Sequence, residues 1–396
     1  MSKNNAIWLF AGSAMQEPAA KLIVALGYKL IVTDLNPLCV CAKYADAFLA
    51  LDTFDVDSNL TAARDLVRKF KIQAVVTLAA DCHYTVAVIS RHLGLHGISP
   101  EISRLCRQKN LTREILSKAG IKQPRFKCAL DLAEAKAFIA ELGGQGVIKA
   151  TDNSASRGFA RINAVDDLTE PVFRAAVVAG TSGVALIEDA LVPRQDCISE
   201  LSVETLWFNG EMYWLNWVDR LFAPDLKFFP QLAQYRDKKI NWGVEVGHIN
   251  PAQHPVAVRD EIHSQINAAG LALGMGAEKG GHVLKADIML TNEGPIIIEM
   301  TPRLSGGWDS SATTPARGAN FQGGIIHLAL GGPLDLNAWH TFFEFKNPSL
   351  YASIVANILP DAKDCIGRQF ALGTDFNREQ SLQLSLMNLK ENQYVL

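Results

Sequence analysis

The chain has 396 residues, 38 Lys+Arg against 41 Asp+Glu, a net charge of −3, and 48% hydrophobic residues. About 150 residues per domain would make two or three domains, large enough to bury a core without covalent staples. The near-neutral charge removes the electrostatic basis for a nucleic-acid or anionic-membrane binder, and apolar residues spread along the chain exclude a largely disordered protein.

The cysteines, Cys39, Cys41, Cys82, Cys106, Cys128, Cys197 and Cys365, are odd in number and too sparse for a disulfide scaffold. Cys39-Val-Cys41 does not have zinc-ligand spacing, so free thiols in a reducing cytoplasm are expected. No stretch reaches the ~18 uninterrupted apolar residues of a membrane helix. Lys3 and the run Ala6–Gly12 imitate the start of a signal peptide. The run is short, however, and leads into a helical pattern rather than a cleavage site. A cytoplasmic location is therefore expected.

In chain order, Ala6–Ala11 reads as a buried strand and Glu17–Leu26 as a helix closed by Gly27. Lys29–Thr33 and Ala47–Leu51 read as strands, Leu60–Phe70 as a helix, Ala74–Ala79 as a strand and Tyr84–Leu93 as a helix. Strands separated by helices imply parallel βαβ units and a Rossmann-like open sheet. The first turn, Ala11-Gly-Ser-Ala-Met-Gln16, supplies one glycine where a dinucleotide fingerprint needs three. NAD is not expected, although Asp34 ends the second strand where a ribose-binding acid would stand.

Leu105–Ala119 then reads as one basic helix and Ala129–Leu142 as another. Gly143–Gly146 leads into the strand Val147–Lys149, a polar small-residue loop follows over Thr151–Arg157, and Gly158–Ile162 returns as a strand. A helix near Val172–Val178 precedes strands at Val184–Ile187, Leu201–Phe208 and Met212–Asp219. Asn209-Gly210 at the last bend is a strong antiparallel hairpin signal. Arg259–Gly270 reads as a helix, His282–Leu290 and Pro295–Met300 as strands joined at Thr291–Gly294, and Phe321–Leu330 as a helix. In the tail, Leu350–Leu359 reads as a strand, and Glu379–Leu389 alternates polar with apolar residues, to cap the site or form an interface. The fold class is thus α/β followed by α+β.

Three places carry chemistry. Lys149 ends an apolar strand and is followed by Ser154, Ser156, Arg157 and Gly158. Such a loop can wrap phosphate oxygens in backbone N–H groups while Lys and Arg offset their charge; an exposed hairpin loop reads equally well. Asp287 and Glu299 sit inside apolar strands, where an unpaired charge is costly. Facing one another across the hairpin, they would form a hard-oxygen site suited to Mg²⁺ on nucleotide phosphates. Arg303 and the glycines of Leu304–Gly307 follow, suited to a developing anion and to close backbone approach.

The order is a Rossmann-like region, a helix with Lys109, then Lys149 and its loop, Glu188-Asp-Ala-Leu191, Glu200-Leu-Ser-Val-Glu204, and Asp287 with Glu299-Met-Thr-Pro-Arg303. This resembles the ATP-grasp superfamily over about residues 5–335. Asp34–Pro37 and Ala45-Asp46 resemble its preATP-grasp domain. Asp152–Gly158 and the run through Gly307 resemble the branch holding biotin carboxylase, carbamoyl phosphate synthetase and L-amino-acid ligases. The resemblance implies a Rossmann-like preATP-grasp domain over 1–104, a linker helix and lid lobe over 105–185, a catalytic lobe over 186–335 and a C-terminal extension over 336–396, the two ATP-grasp lobes carrying antiparallel sheets.

It also implies roles. Lys109 and Lys149 would meet the α- and β-phosphates of ATP, and the loop with Ser154, Ser156, Arg157 and Gly158 would close over them. Glu188, Asp189 and Leu191 would meet adenine, largely by backbone, and Glu200 the ribose. Asp287 and Glu299 would bind Mg²⁺, or Mn²⁺ in its place. Arg303 would meet a substrate carboxylate or acyl phosphate. Thr301 stands where the family commonly has Asn, and Asp287 where this branch often has Glu. The implied activity is a carboxylate–amine ligase acting through an acyl phosphate on small molecules; a bicarbonate-dependent carboxylase and a non-catalytic ATP-binding module are the alternatives. A homodimer is left open. His282, Lys285, Arg220 and Trp308 border the presumed pocket in sequence; Lys285, on the strand face of Asp287, reads equally as a contact to a substrate carboxylate or as a structural Lys paired with an acid, and for His282 the structural reading is preferred.

Overall fold

A computed structural model of the chain describes residues 4–153, 157–230, 232, 244–356 and 370–391. Ser154, Ser156, Cys365 and the end of the strand expected over Leu350–Leu359 lie outside these residues. Strands β1 (Asn5–Phe10), β2 (Lys29–Thr33), β3 (Ala47–Leu49) and β4 (Lys71–Val76) form a parallel sheet in the order β3-β2-β1-β4. Ile7, Trp8, Leu9 and Phe10 are all fully buried because helices cover both faces. Helices Val56–Leu66 and His83–His92 flank this region, the former starting before the expected Leu60 because Asp55 caps it through Ser58 N–H.

Strands β5 (Phe126–Ala129), β6 (Gly146–Ala150), β7 (Ala160–Ile162) and β8 (Ala185–Glu188) form an antiparallel sheet, order β5-β8-β6-β7. Helices Leu132–Glu141 and Glu170–Ala179 bury one face through Phe138, Ile139, Phe173 and Ala176 against Ile148 and Ile187. Side chains alternate along a strand, so Val147, Lys149, Leu186 and Glu188 share the opposite face.

The third sheet has seven antiparallel strands: β9 (Glu200–Phe208), β10 (Glu211–Leu221), β11 (Gly247–Asn250), β12 (Gly281–Thr291), β13 (Gly294–Thr301), β14 (Tyr351–Ala356) and β15 (Phe370–Asp375). Their order is β13-β12-β9-β10-β11-β14-β15. Asn209 and Gly210 both adopt positive φ, 52° and 88°, as a two-residue hairpin turn requires. Leu201, Val203, Leu284 and Ala286 pack against helix Val256–Leu273, whose Gly270 lies against the Trp207 ring. The opposite face of β9 carries Glu200, Ser202 and Glu204.

Two expectations are corrected. The single helix over Leu105–Ala119 is two, Pro100–Arg107 and Lys109–Lys118, broken at the extended Gln108, and Lys109 N–H bonds to Thr151 O at 2.7 Å. Glu379–Leu389 lies in a helix, Arg378–Lys390. Its buried Ser381, Leu382, Ser385, Leu386 and Leu389 recur at helical spacing, which the apparent alternation conceals. This helix lies on β14 and β15, so the tail completes the large sheet.

Asp219 on β10 fastens that helix. Its fully buried carboxylate accepts from Arg378 Nη2 (2.5 Å) and Gln253 N–H (3.2 Å), and it lies 2.8 Å from His254 Nε2. Asp219→Ala leaves the partly buried Arg378 without its counter-charge and the Gln253 N–H without its acceptor. The expected cost is about 3–5 kcal/mol, read as a lowered thermal midpoint and faster proteolysis of the C-terminal helix.

Candidate active site

The β12–β13 hairpin sets Asp287 directly opposite Glu299, with a bulge between Asp287 and Ile288. Lys285, two residues earlier, shares the face of Asp287 and places Nζ 2.5 Å from its Oδ2. Arg220 Nη1 lies 3.5 Å from the same oxygen, and Lys109 Nζ 3.2 Å from Glu299 Oε2. Burial pushes Glu299 upward, but Lys109, Lys285 and Arg303 reverse this and hold its pKa at about 2. Asp287 Oδ1 is buried and accepts no hydrogen bond among the described residues, and Thr301 Oγ1 is likewise unpartnered. Two opposed carboxylates with an open buried oxygen fit a hard divalent cation that draws its remaining ligands from phosphate and water. Among the described residues no group of three or more His, Cys, Asp and Glu is gathered for a metal, so the protein's share of such a site is the pair.

Lys149 faces this floor from the smaller sheet. Its Nζ pairs with Glu188 at 2.5 Å, and Arg113 Nε holds the other carboxylate oxygen at 2.7 Å. Burial raises the Glu188 pKa, and the two cations bring it down to about 2. Burial also lowers the Lys149 pKa, with Glu188 opposing. Arg113 donates further to Ile297 O (2.9 Å) and Ile298 O (2.6 Å), so one guanidinium ties the helix, the smaller sheet and β13 together. Sequence reading missed Arg113, which sits in a helix like any surface cation; only its full burial marks it.

Between these walls lies a cleft of ≈ 270 Å³. Its apolar part includes Pro124, Val147, Leu191, Phe222, Met289 and Ile298; its polar part includes Lys109, Lys149, Arg157, Glu200, Asp287 and Glu299. Asp189 lines the rim while bound by Arg125. Gly158, at φ 69°, lies against Ala175, Ala176 and Ala179 at the base of the loop. Glu200 binds Arg220 Nη1 at 2.6 Å. Arg303 is engaged by the parallel-sheet domain, its Nε donating to Asp81 Oδ1 at 2.6 Å.

His282 and Trp308 do not border this cleft; for His282 this agrees with the structural role preferred for it, whereas Trp308 departs from expectation. His282 lies at the start of β12, stacked on His96 and 2.9 Å from Lys279 O. Trp308 is buried against Phe370 in left-handed backbone, φ 79°. Asp34, in the dinucleotide position, accepts from Gly12 N–H at 2.7 Å, and a Cβ on Gly12 would meet Cys39 Sγ at 2.2 Å. That turn is filled by the protein itself.

A second polar layer extends behind the floor. Glu245 accepts from Arg220 Nη2 (2.9 Å) and lies 3.3 Å from His248 Nδ1. His248 Nε2 lies 2.9 Å from Asp309 Oδ1, Ser305 Oγ donates to Asp309 Oδ2 (2.6 Å), and Ser305 N–H donates to Glu204 Oε1 (2.7 Å). Burial disfavours charge on His248, but Asp309 and Glu245 outweigh it and raise its pKa to about 10. A raised pKa stabilises the fold fully below the ordinary value of 6.5 and is lost as pH rises through about 10. The thermal midpoint is expected to fall across that window, and His248→Gln to flatten the fall; an identical slope in the variant would exclude a charged His248.

No protein-family model matches the chain. It is 24% identical over 300 residues to the uncharacterized protein y4rH of Sinorhizobium fredii, covering 72% of this chain and 55% of that one. It is 22% identical over 408 residues to the carbamoyl phosphate synthase large chain of Campylobacter jejuni, covering 94% of this chain and 34% of that one. The chain thus spans about half or less of the length of these relatives. Its structure superimposes on the crystal structure of an L-amino acid ligase from Bacillus licheniformis with a TM-score of 0.74 at 20% identity, over 99% of this chain and 98% of that one. The chain, in which the parallel sheet, the small antiparallel sheet and the large antiparallel sheet follow in that order, thus shares its fold with that ligase structure.

Proposed function

We propose that the protein is an ATP-dependent carboxylate–amine ligase that forms an amide through an acyl phosphate and releases ADP and phosphate. The observation that carries this reading is the single cleft joining Lys149 on one sheet to Asp287 and Glu299 on the other. A nucleotide base would lie in the slot of Val147, Leu191 and Met289, and Glu200 would meet the ribose. Lys109 and Lys149 offset phosphate charge, which otherwise opposes attack by an anionic carboxylate. Mg²⁺ held by Asp287 and Glu299 would supply further charge neutralisation at the phosphates.

In the reaction a substrate carboxylate oxygen attacks the γ-phosphorus and the bond to ADP breaks. An amine then attacks the acyl carbon, phosphate leaves and the amine loses a proton. Lys285 and Arg303, held by Asp287 and Asp81 and lining neither cavity, would reach the acid or its acyl phosphate only by giving up those pairs. The loop over Thr151–Gly158 would exclude water, which competes with the amine. The matched L-amino acid ligase supports an amino acid or small acid as substrate.

The test is ADP release with pools of amino acids, with and without bicarbonate. Stimulation by amino acids is expected; dependence on bicarbonate alone, or silence with retained ATP binding, would reject the ligase reading. Glu299→Gln should lower kcat at least about a hundredfold, the size of losing one electrostatic stabiliser, with an unchanged circular dichroism spectrum. Near-normal turnover in that variant would remove the assigned role of the carboxylate pair.

A further inference from the structure

A second cavity meets the nucleotide cleft, the two sharing Lys109, Asn153, Arg157 and Glu299. It runs from Glu299 and Thr301 toward the parallel-sheet domain, where Phe54, His83, Cys106 and Arg107 line it. Under the function proposed above this is where the acid or amine must sit, because it adjoins the phosphate end of the cleft.

One charged side chain of this cavity differs from the others in how it is held. The cavity's three carboxylates are all engaged: Asp81 by Arg303 Nε, Glu299 by Lys109 Nζ, and Asp152 by the N–H and hydroxyl of Thr181. Burial keeps His83 neutral, lowering its pKa to about 3, and its Nδ1 lies 2.6 Å from Ser103 Oγ. Burial likewise keeps Cys106 a thiol, its pKa pushed up to about 12. Arg107 differs. Its guanidinium lies over the Phe54 ring, 5.1 Å from the centroid, with no hydrogen-bond or ion-pair partner among the described residues. Stacking occupies the flat face of a guanidinium and leaves its in-plane N–H donors available, the geometry that reads carboxylate or phosphate oxygens in pairs. Arg107 closes helix Pro100–Arg107, next to the break at Gln108, so its backbone is held in place by the same turn that positions Lys109.

We propose that Arg107, stacked on Phe54, is a specificity-determining residue that reads a second anionic group on the substrate, so that the enzyme takes acids bearing an additional carboxylate or phosphate. This rests on the ligase reading and adds the substrate class to it.

The experiment measures ADP release with three charge-differing pairs: L-aspartate and L-asparagine, L-glutamate and L-glutamine, O-phospho-L-serine and L-serine. Wild type, Arg107→Gln and Arg107→Lys are compared, and the KM for ATP is measured in each. The expected result is a higher kcat/KM for the anionic member of at least one pair. Arg107→Gln should narrow that ratio by about tenfold or more, the range of a charge-assisted hydrogen bond, and Arg107→Lys should restore part of it. Preference within the first two pairs identifies a carboxylate as the recognised group, and preference within the third a phosphate. Equal use of both members, or a preference unchanged in Arg107→Gln, overturns the proposal while leaving the ligase reading intact. A raised KM for ATP with an unchanged ratio assigns Arg107 to the nucleotide and also overturns it. Silence with every probe, alongside retained ATP binding, removes the ligase reading and this proposal with it.

Discussion

The site depends on carboxylates that the fold buries among apolar strands and must then neutralise with cations from other elements. Glu188 is the clearest case. It is 2% exposed and would be untenable alone. Lys149 neutralises it from the neighbouring strand and Arg113 from a helix distant in sequence. Because Arg113 also binds the β13 carbonyls of Ile297 and Ile298, the charge balance of the smaller sheet is coupled to the position of the larger one. The cleft width is therefore set by an electrostatic requirement as well as by packing.

The same logic governs the floor. Asp287 and Glu299 oppose one another across a hairpin, an arrangement two like charges would resist without help. Lys285, Lys109 and Arg220 supply that help from three elements. Behind them Arg220, Glu245, His248, Asp309 and Ser305 alternate in charge and polarity, linking the floor to the loop after Arg303. Buried ionic networks of this kind add little net stability over apolar packing, yet removing one member strands the others. Such a network favours one geometry over alternatives, as the proposed ligation, with phosphates and a reactive acid to be held in register, would require.

Local patterns were legible where local physics decides them. Asn209-Gly210 announced its hairpin because few other residue pairs accept two successive positive φ angles. The apolar runs of β1 and β2 announced a sheet buried on both faces. The facing of Asp287 and Glu299 followed from two strands joined by a short turn. The break at Gln108 was not legible, since helical periodicity runs through it; it arises where Lys109 N–H bonds to Thr151 O on another element. The tail helix was obscured because two buried serines, Ser381 and Ser385, read as surface residues until Ser353 Oγ and Ala371 O are brought against them.

Strand and helix periodicity determined by themselves a parallel sheet followed by an antiparallel region, and the hairpin that sets Asp287 opposite Glu299. These are properties of short segments, set by side-chain spacing and backbone sterics. Tertiary structure alone decided which charges are paired and which are left open. Arg113 is spent on Glu188, Arg303 on Asp81, and Arg220 is shared among Glu200, Glu245 and Asp287, whereas Arg107 rests on Phe54. In a linear chain these arginines look alike. Their difference comes from what burial denies each of them: where water is excluded, a counter-charge must come from a residue far away in sequence, and only the fold determines whether one is there.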